Sequence, residues 1–314
     1  VFHTELFTPD DMRQAAGFFE RAVEIDPTFV LAYTGLNKLC RFRLQAGLVR
    51  PREEAPRCSN LIMKALMLDE DRAEVHSGLA LGYWLYDYDW PAAESAFNRA
   101  LQLNPNFAEA HMFYSHFLMS LGRCEESGAE IRIARELDPL NPFVQGLHGA
   151  QLAGCGEPEA GLDLINETIA TFPQLGFGYD VLWWVGGGTG RPEESLSAAV
   201  QHFGITMNKP EVVAALRRGK EAGGYEGAML AAGDALAELR HETYIPAYEI
   251  AMAYGYVGYV YKHFEWIIVE YDEHVPTLPY LGAIGRYAPA LDESRRAAVL
   301  ERMQLDSWID PESM

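Results

Sequence analysis

The chain repeats itself at a nearly fixed interval. FFERAVEIDP (Phe18–Pro27), AFNRALQLNP (Ala96–Pro105) and EIRIARELDP (Glu130–Pro139) align with one another, and NLIMKALMLDE (Asn60–Glu70) and LINETIATFP (Leu164–Pro173) are weaker copies. Their ends fall at 27, 70, 105, 139 and 173, which gives spacings of 43, 35, 34 and 34. A unit of this length is one supersecondary element that cannot bury its apolar face alone, so the period predicts stacked units sharing a continuous core. The longer first interval predicts an insertion of about nine residues, placed near 44–56 in LQAGLVRPREEAP.

Each repeated segment follows a partner: FVLAYTGLNKLC, AEVHSGLALGYW, AEAHMFYSHFLMSLG, PFVQGLHGAQLAGCG and GFGYDVLWWVGGGTG. Apolar residues recur along both at helical spacing. The glycine after the partner stops the first helix and the proline after the segment stops the second. Gly122, Gly156 and Gly190 lie 34 residues apart at this turn, and Gly258 serves a later one.

This spacing explains Gly190 within the run GGGTG (Gly186–Gly190) without a phosphate-binding loop. Such a loop needs a strand before it and a lysine after the glycines. The surplus glycines, Gly186, Gly187 and Gly188, predict an early-frayed helix end, with close backbone approach by a partner as the alternative. The pattern continues less regularly through 210–239 and 244–274, and ESRRAAVLERMQL (Glu293–Leu305) is a last amphipathic helix suited to cap the stack. The expected fold is all-α: a right-handed solenoid of about seven to eight antiparallel helix pairs with a C-terminal capping helix. Residues 1–209 form its regular array. Residues 210–314 form divergent pairs and the cap of the same continuous solenoid.

The 34-residue helical pair is the period of the tetratricopeptide repeat (TPR). DPTFVLAYTGL, LDEDRAEVHSGLAL, YDYDWPAAESAFNRALQLNPNFAEAH and GRCEESGAEIRIARELDPLNP resemble the TPR region that certain multidomain bacterial proteins join C-terminally to a class III adenylate cyclase domain or a winged-helix transcription regulator. Asp89-Trp90 and Ala108–His111 carry the resemblance most specifically, and it extends over roughly residues 8–275. After that the chain departs, with Gly285–Met303 in place of the expected arginine-rich ending. The start at Val1 instead of Met is that expected of a fragment or a processed form, and leaves open whether an N-terminal effector domain precedes it.

The resemblance implies where the concave groove lies: at the second, fifth, ninth and twelfth residues of each first helix. The resulting candidate partner-binding residues are Trp84, Met112, His116, Met119, Phe143, Phe177, Asp180 and Trp184, with only Lys38 and Arg41 basic. The lysine and asparagine set that binds chaperone carboxylates is absent. A groove lined by aromatic and methionine side chains suits an apolar peptide or helix. An equally weighted alternative is that superhelical packing, or the chain's own C-terminal helix, covers these side chains.

The leading function is a protein–protein interaction scaffold or regulatory module, possessing no catalytic residue and serving within a signalling protein. The rival is a small-molecule or enzymatic pocket inside the superhelix, walled by Trp183, Trp184, the glycine cluster and the tyrosines of Tyr248–Tyr261. A perturbed carboxylate pair there would favour the rival. A net charge of −20 argues against nucleic acid and favours an apolar or basic protein or peptide partner. No run of apolar residues is long enough for a membrane span. The four cysteines form no C-x-x-C pair and read as reduced thiols of a cytoplasmic protein, with Cys40 and Cys58 facing each other unbonded. His76 and His111 occupy equivalent repeat positions that packing explains. No metal or other cofactor is expected.

Overall fold

The computed structural model describes residues 9–173, 175–281 and 293–308. Among them there is no β-strand. A first helix, α1 (Pro9–Ile25), precedes successive antiparallel pairs: α2 (Val30–Gln45) with α3 (Pro51–Leu68), α4 (Ala73–Gly82) with α5 (Trp90–Leu103), and α6 (Ala108–Ser120) with α7 (Cys124–Leu137). Next come α8 (Pro142–Gly154) with α9 (Pro158–Thr171) and α10 (Gly176–Gly188) with α11 (Pro192–Gln201). The long segment α12 (Pro210–Leu239) breaks at Gly223 and Gly224 into a pair of its own, and α13 (Ala247–Gly255) packs on α14 (Val260–Glu273). The last helix, α15, spans Glu293–Arg302. Residues 285–292, part of the stretch where the family pattern ends, lie outside the described residues.

The turn within each pair is set by one left-handed residue. Tyr88, Gly122, Gly156, Gly190, Gly224 and Gly258 all have positive φ, from 53° to 95°, and stand 34 positions apart. Glycine enters this region without steric penalty. Tyr88 does so with a side chain because α4 first widens into a π turn at Tyr83–Asp87, and its ring is held between Trp90, Tyr271 and His274.

A second device locks the connection between pairs. The side chains of Tyr33, His76, His111, Gln145 and Tyr179 each hydrogen-bond the backbone carbonyl six residues earlier, on Pro27, Glu70, Pro105, Pro139 and Pro173, at 2.7–3.1 Å. Four of the five carbonyls belong to the prolines that end the repeated segments. His76 and His111 are therefore turn-locking residues, and His111 also bonds the Glu130 carboxylate.

The insertion placed near 44–56 lengthens α3, which has 18 residues against 14 in α5, α7 and α9. Two sequence expectations need correction. The helix does not fray at the glycine cluster: α10 continues through Gly188. A Cβ on Gly186 would meet the Ser195 backbone at 3.1 Å, and one on Gly187 would meet the Tyr256 ring at 2.7 Å, so these glycines let α11 and α13 pack closely. The cysteines are not free thiols: Cys40–Cys58 ties α2 to α3, and Cys124–Cys155 ties the start of α7 to the end of α8.

The array closes on itself. Pro246 packs against Gly47, the Arg50 guanidinium lies over the Tyr244 ring, and Arg52 donates to the Asp272 carbonyl. The Trp90 indole N–H donates to the Met303 carbonyl, and Val299, Leu300 and Met303 join the same core as Trp84 and Trp90. Thus α15 covers α14 and also reaches back to the second pair.

Ala100 and Ala134 are wholly buried at helix–helix contacts. Ala100→Leu and Ala134→Leu should each destabilise by about 1–3 kcal/mol through overpacking; unchanged urea midpoints would refute this packing. Reduction should also lower stability, because the Cys40–Cys58 and Cys124–Cys155 loops span 18 and 31 residues, each worth about 3–4 kcal/mol. Denaturation with and without reductant measures it, with thiol titration confirming the initial pairing.

Candidate functional site: an interior cavity

Inward residues of several first helices line two cavities. The larger, about 230 Å³, is walled by α6, α8 and α10, and residues 246–249 and 275–280 face these helices across it. Its lining includes His116, Met119, Phe143, Phe177, Asp180 and Trp184, together with Leu147, Tyr248 and Tyr280. The smaller, about 200 Å³, holds Met112 beside Lys38, Arg41 and Glu109, and Phe42 and Phe143 line both. Trp84 reaches neither. It is fully buried, in edge contact with Phe97, Phe117 and Tyr280.

The basic residues of the groove are already engaged. Lys38 pairs with Glu109, and Arg41 is buried with its Nε donating to Asn37. No lysine or arginine lines the larger cavity among the described residues.

At one end of the larger cavity the lining turns polar. Asp180 from α10, His202 at the end of α11 and Glu249 from α13 bring one donor atom each within 4.8 Å of one another. The His202 Nε2 lies 3.0 Å from Glu249 Oε1. The imidazole stacks on Trp183, where α11 widens into a π turn at His202–Thr206. Asp180 Oδ1, His202 Nδ1 and Glu249 Oε2 are buried without a hydrogen-bond partner. Close by, Glu270 is buried and accepts a hydrogen bond from Thr277 on Oε1, leaving Oε2 unpaired.

Burial dominates the electrostatics. It pushes the Asp180 carboxyl up to about 7, with His202 opposing and Glu249 adding to the rise. Burial pushes Glu270 up to about 8 against the Thr277 hydrogen bond. Burial also disfavours the His202 cation, but the adjacent Glu249 outweighs it and raises His202 to about 8. His116, buried and bonded to the Leu147 carbonyl, is lowered to about 4 and is therefore neutral.

His202 and Glu249 were not among the residues singled out from the sequence. Glu249 did leave a signal, as the single acid of YEIAMAYG, a segment otherwise almost free of charge; Asp180 stands the same way in GFGYDVLWWV. An isolated carboxylate in an all-round apolar helix is costly to bury. His202 left none, because its direction depends on the π turn.

No family model matches the chain, and no curated protein matches it in sequence. Solved structures do share its fold. The APC/C hetero-tetramer Cut9–Hcn1 is 16% identical over 93% of this chain and 52% of that one, with a TM-score of 0.57. The chain thus spans about half the length of that protein. The type IV pilus biogenesis factor PilW is 22% identical, covering 65% of this chain and 93% of its own, at a TM-score of 0.46. A tetratricopeptide repeat protein from Parabacteroides merdae is 12% identical over 94% and 93% of the two chains, at 0.41. The fold is a TPR-type helical solenoid.

Trp84 and Phe177 should separate core from cavity. Trp84→Ala removes a fully enclosed ring and should cost about 3–5 kcal/mol of stability. Phe177→Ala, at a half-buried wall position, should cost distinctly less; equal losses in chemical denaturation would contradict the assignment.

Proposed function

We propose that the chain is an interaction module whose binding site is the larger interior cavity, which receives an apolar side chain or chain end of a protein or peptide partner. One observation carries this reading: inward residues of three successive first helices, His116, Met119, Phe143, Phe177 and Trp184, converge on a single largely apolar chamber. Aromatic and methionine side chains in such a chamber act as anchors. With no lysine or arginine in the lining among the described residues and a net charge of −20, the partner's contact is apolar or basic. A regulatory role in a larger signalling protein is supported by the sequence resemblance alone, and no catalytic step is assigned.

The second reading, a small-molecule pocket, is favoured by residues 246–249 and 275–280 facing the first helices across the chamber and by the raised carboxyls of Asp180 and Glu270. Native mass spectrometry of the purified chain, before and after unfolding, distinguishes a retained small molecule from an empty chain awaiting a partner. No described helix is long and apolar enough to cross a membrane. The two disulfides support an oxidising compartment and count against the cytoplasmic placement that reduced thiols suggested.

Affinity purification with mass spectrometry names the partner, and fluorescence titration then measures it. Phe177→Ala and Phe143→Ala should weaken binding by about 1–2 kcal/mol, while unchanged circular dichroism shows an intact fold. Unchanged affinity in both would move the binding surface elsewhere.

A further inference from the structure

We propose that Asp180, His202 and Glu249 bind one divalent transition-metal cation at the wall of the larger cavity. The proposal does not depend on what enters the apolar part of the chamber. Its first support is the donor set. One imidazole nitrogen and two carboxylate oxygens, converging within 4.8 Å, match three-ligand sites that take zinc, manganese, iron or cobalt and leave further positions open. Small side-chain movements bring such donors to the metal–ligand distances of about 2.0–2.2 Å that these ions need.

The second support is unmet bonding. Glu249 and His202 are 6% and 4% exposed, yet Glu249 Oε2 and His202 Nδ1 have no partner, and neither has Asp180 Oδ1. Buried polar groups are normally hydrogen-bonded, and buried charges are paired or coordinate metals. Here two acids, Asp180 and Glu249, share one imidazole, with no lysine or arginine in the cavity wall among the described residues. A divalent cation supplies the missing charge.

The third support is preorganisation. The ligands come from three helices, α10, α11 and α13, whose contact is set by Gly187 against Tyr256 and by the stacking of His202 on Trp183. Ligands fixed by packing lose little freedom on binding. All three residues line the chamber, so water or a donor atom of an incoming ligand has access to an open coordination position.

The test uses the whole chain with both disulfides intact, which removes thiolates as competing ligands. After treatment with chelator, zinc chloride is titrated calorimetrically and bound metal is counted by elemental analysis. One tightly held equivalent and a zinc-dependent rise in melting temperature are expected. Cobalt(II) should give visible d–d bands without a thiolate charge-transfer band. Asp180→Asn, His202→Gln and Glu249→Gln preserve side-chain volume. Each should weaken zinc by at least about 100-fold, since outer-shell changes alone cost about 10–100-fold. Asp234→Asn, at an exposed carboxylate, should leave it unchanged. Failure of the wild-type chain to retain zinc, cobalt or manganese overturns the proposal, and so does full retention in the Asp180→Asn/Glu249→Gln double variant. Either failure leaves partner binding in the apolar part of the chamber untouched, which the Phe177→Ala titration reads separately.

Discussion

From the second helix pair onward, each described pair depends on a backbone reversal at one position in 34, where a single residue takes a left-handed conformation. That reversal lays the second helix antiparallel on the first. The pair then presents apolar surface on two sides and must be covered by its neighbours. The hydrogen bond from Tyr33, His76, His111, Gln145 and Tyr179 to a carbonyl six residues back fixes how the next pair follows. Two local devices, repeated, therefore generate the long-range curvature.

Curvature sustained over these pairs brings the last third of the chain onto the first. Pro246 meets Gly47, Met303 meets Trp90, and Tyr280 packs on both Trp84 and His116. An open solenoid would present its inner face to solvent along its whole length. Closure instead divides that face into core, around Trp84, and chambers, around Phe143 and Trp184. The same closure brings Asp180 together with the buried His202 and Glu249, with no lysine or arginine in the cavity wall among the described residues. The chemistry of the chamber thus follows from the fold's topology.

The helix pairs and the turns at Gly122, Gly156 and Gly190 were legible because they rest on local signals: period, glycine placement and terminal proline. Gly224 was not read as their continuation, and Tyr88 takes the same position without being glycine. Six residues of the inward stripe reach one cavity, but Trp84 follows the same spacing into the core, because repeat position does not reveal what Tyr280 covers. The glycines at 186 and 187 looked like helix breakers; they are contact points for Ser195 and Tyr256. The disulfides were missed because spacing and composition were read as those of reduced thiols, although Cys40 and Cys58 were expected to face each other. His202 and Glu249 join Asp180 only through tertiary contacts between helices distant in sequence.

The most direct test of a closed interior with a charged, metal-competent wall is diffraction at the zinc absorption edge from crystals of the chain grown with zinc. The account predicts one anomalous peak bonded to Asp180, His202 and Glu249, with residues 275–280 lying across the chamber. A zinc-free interior, or an array with Tyr280 swung away from Trp84 and His116, would contradict it.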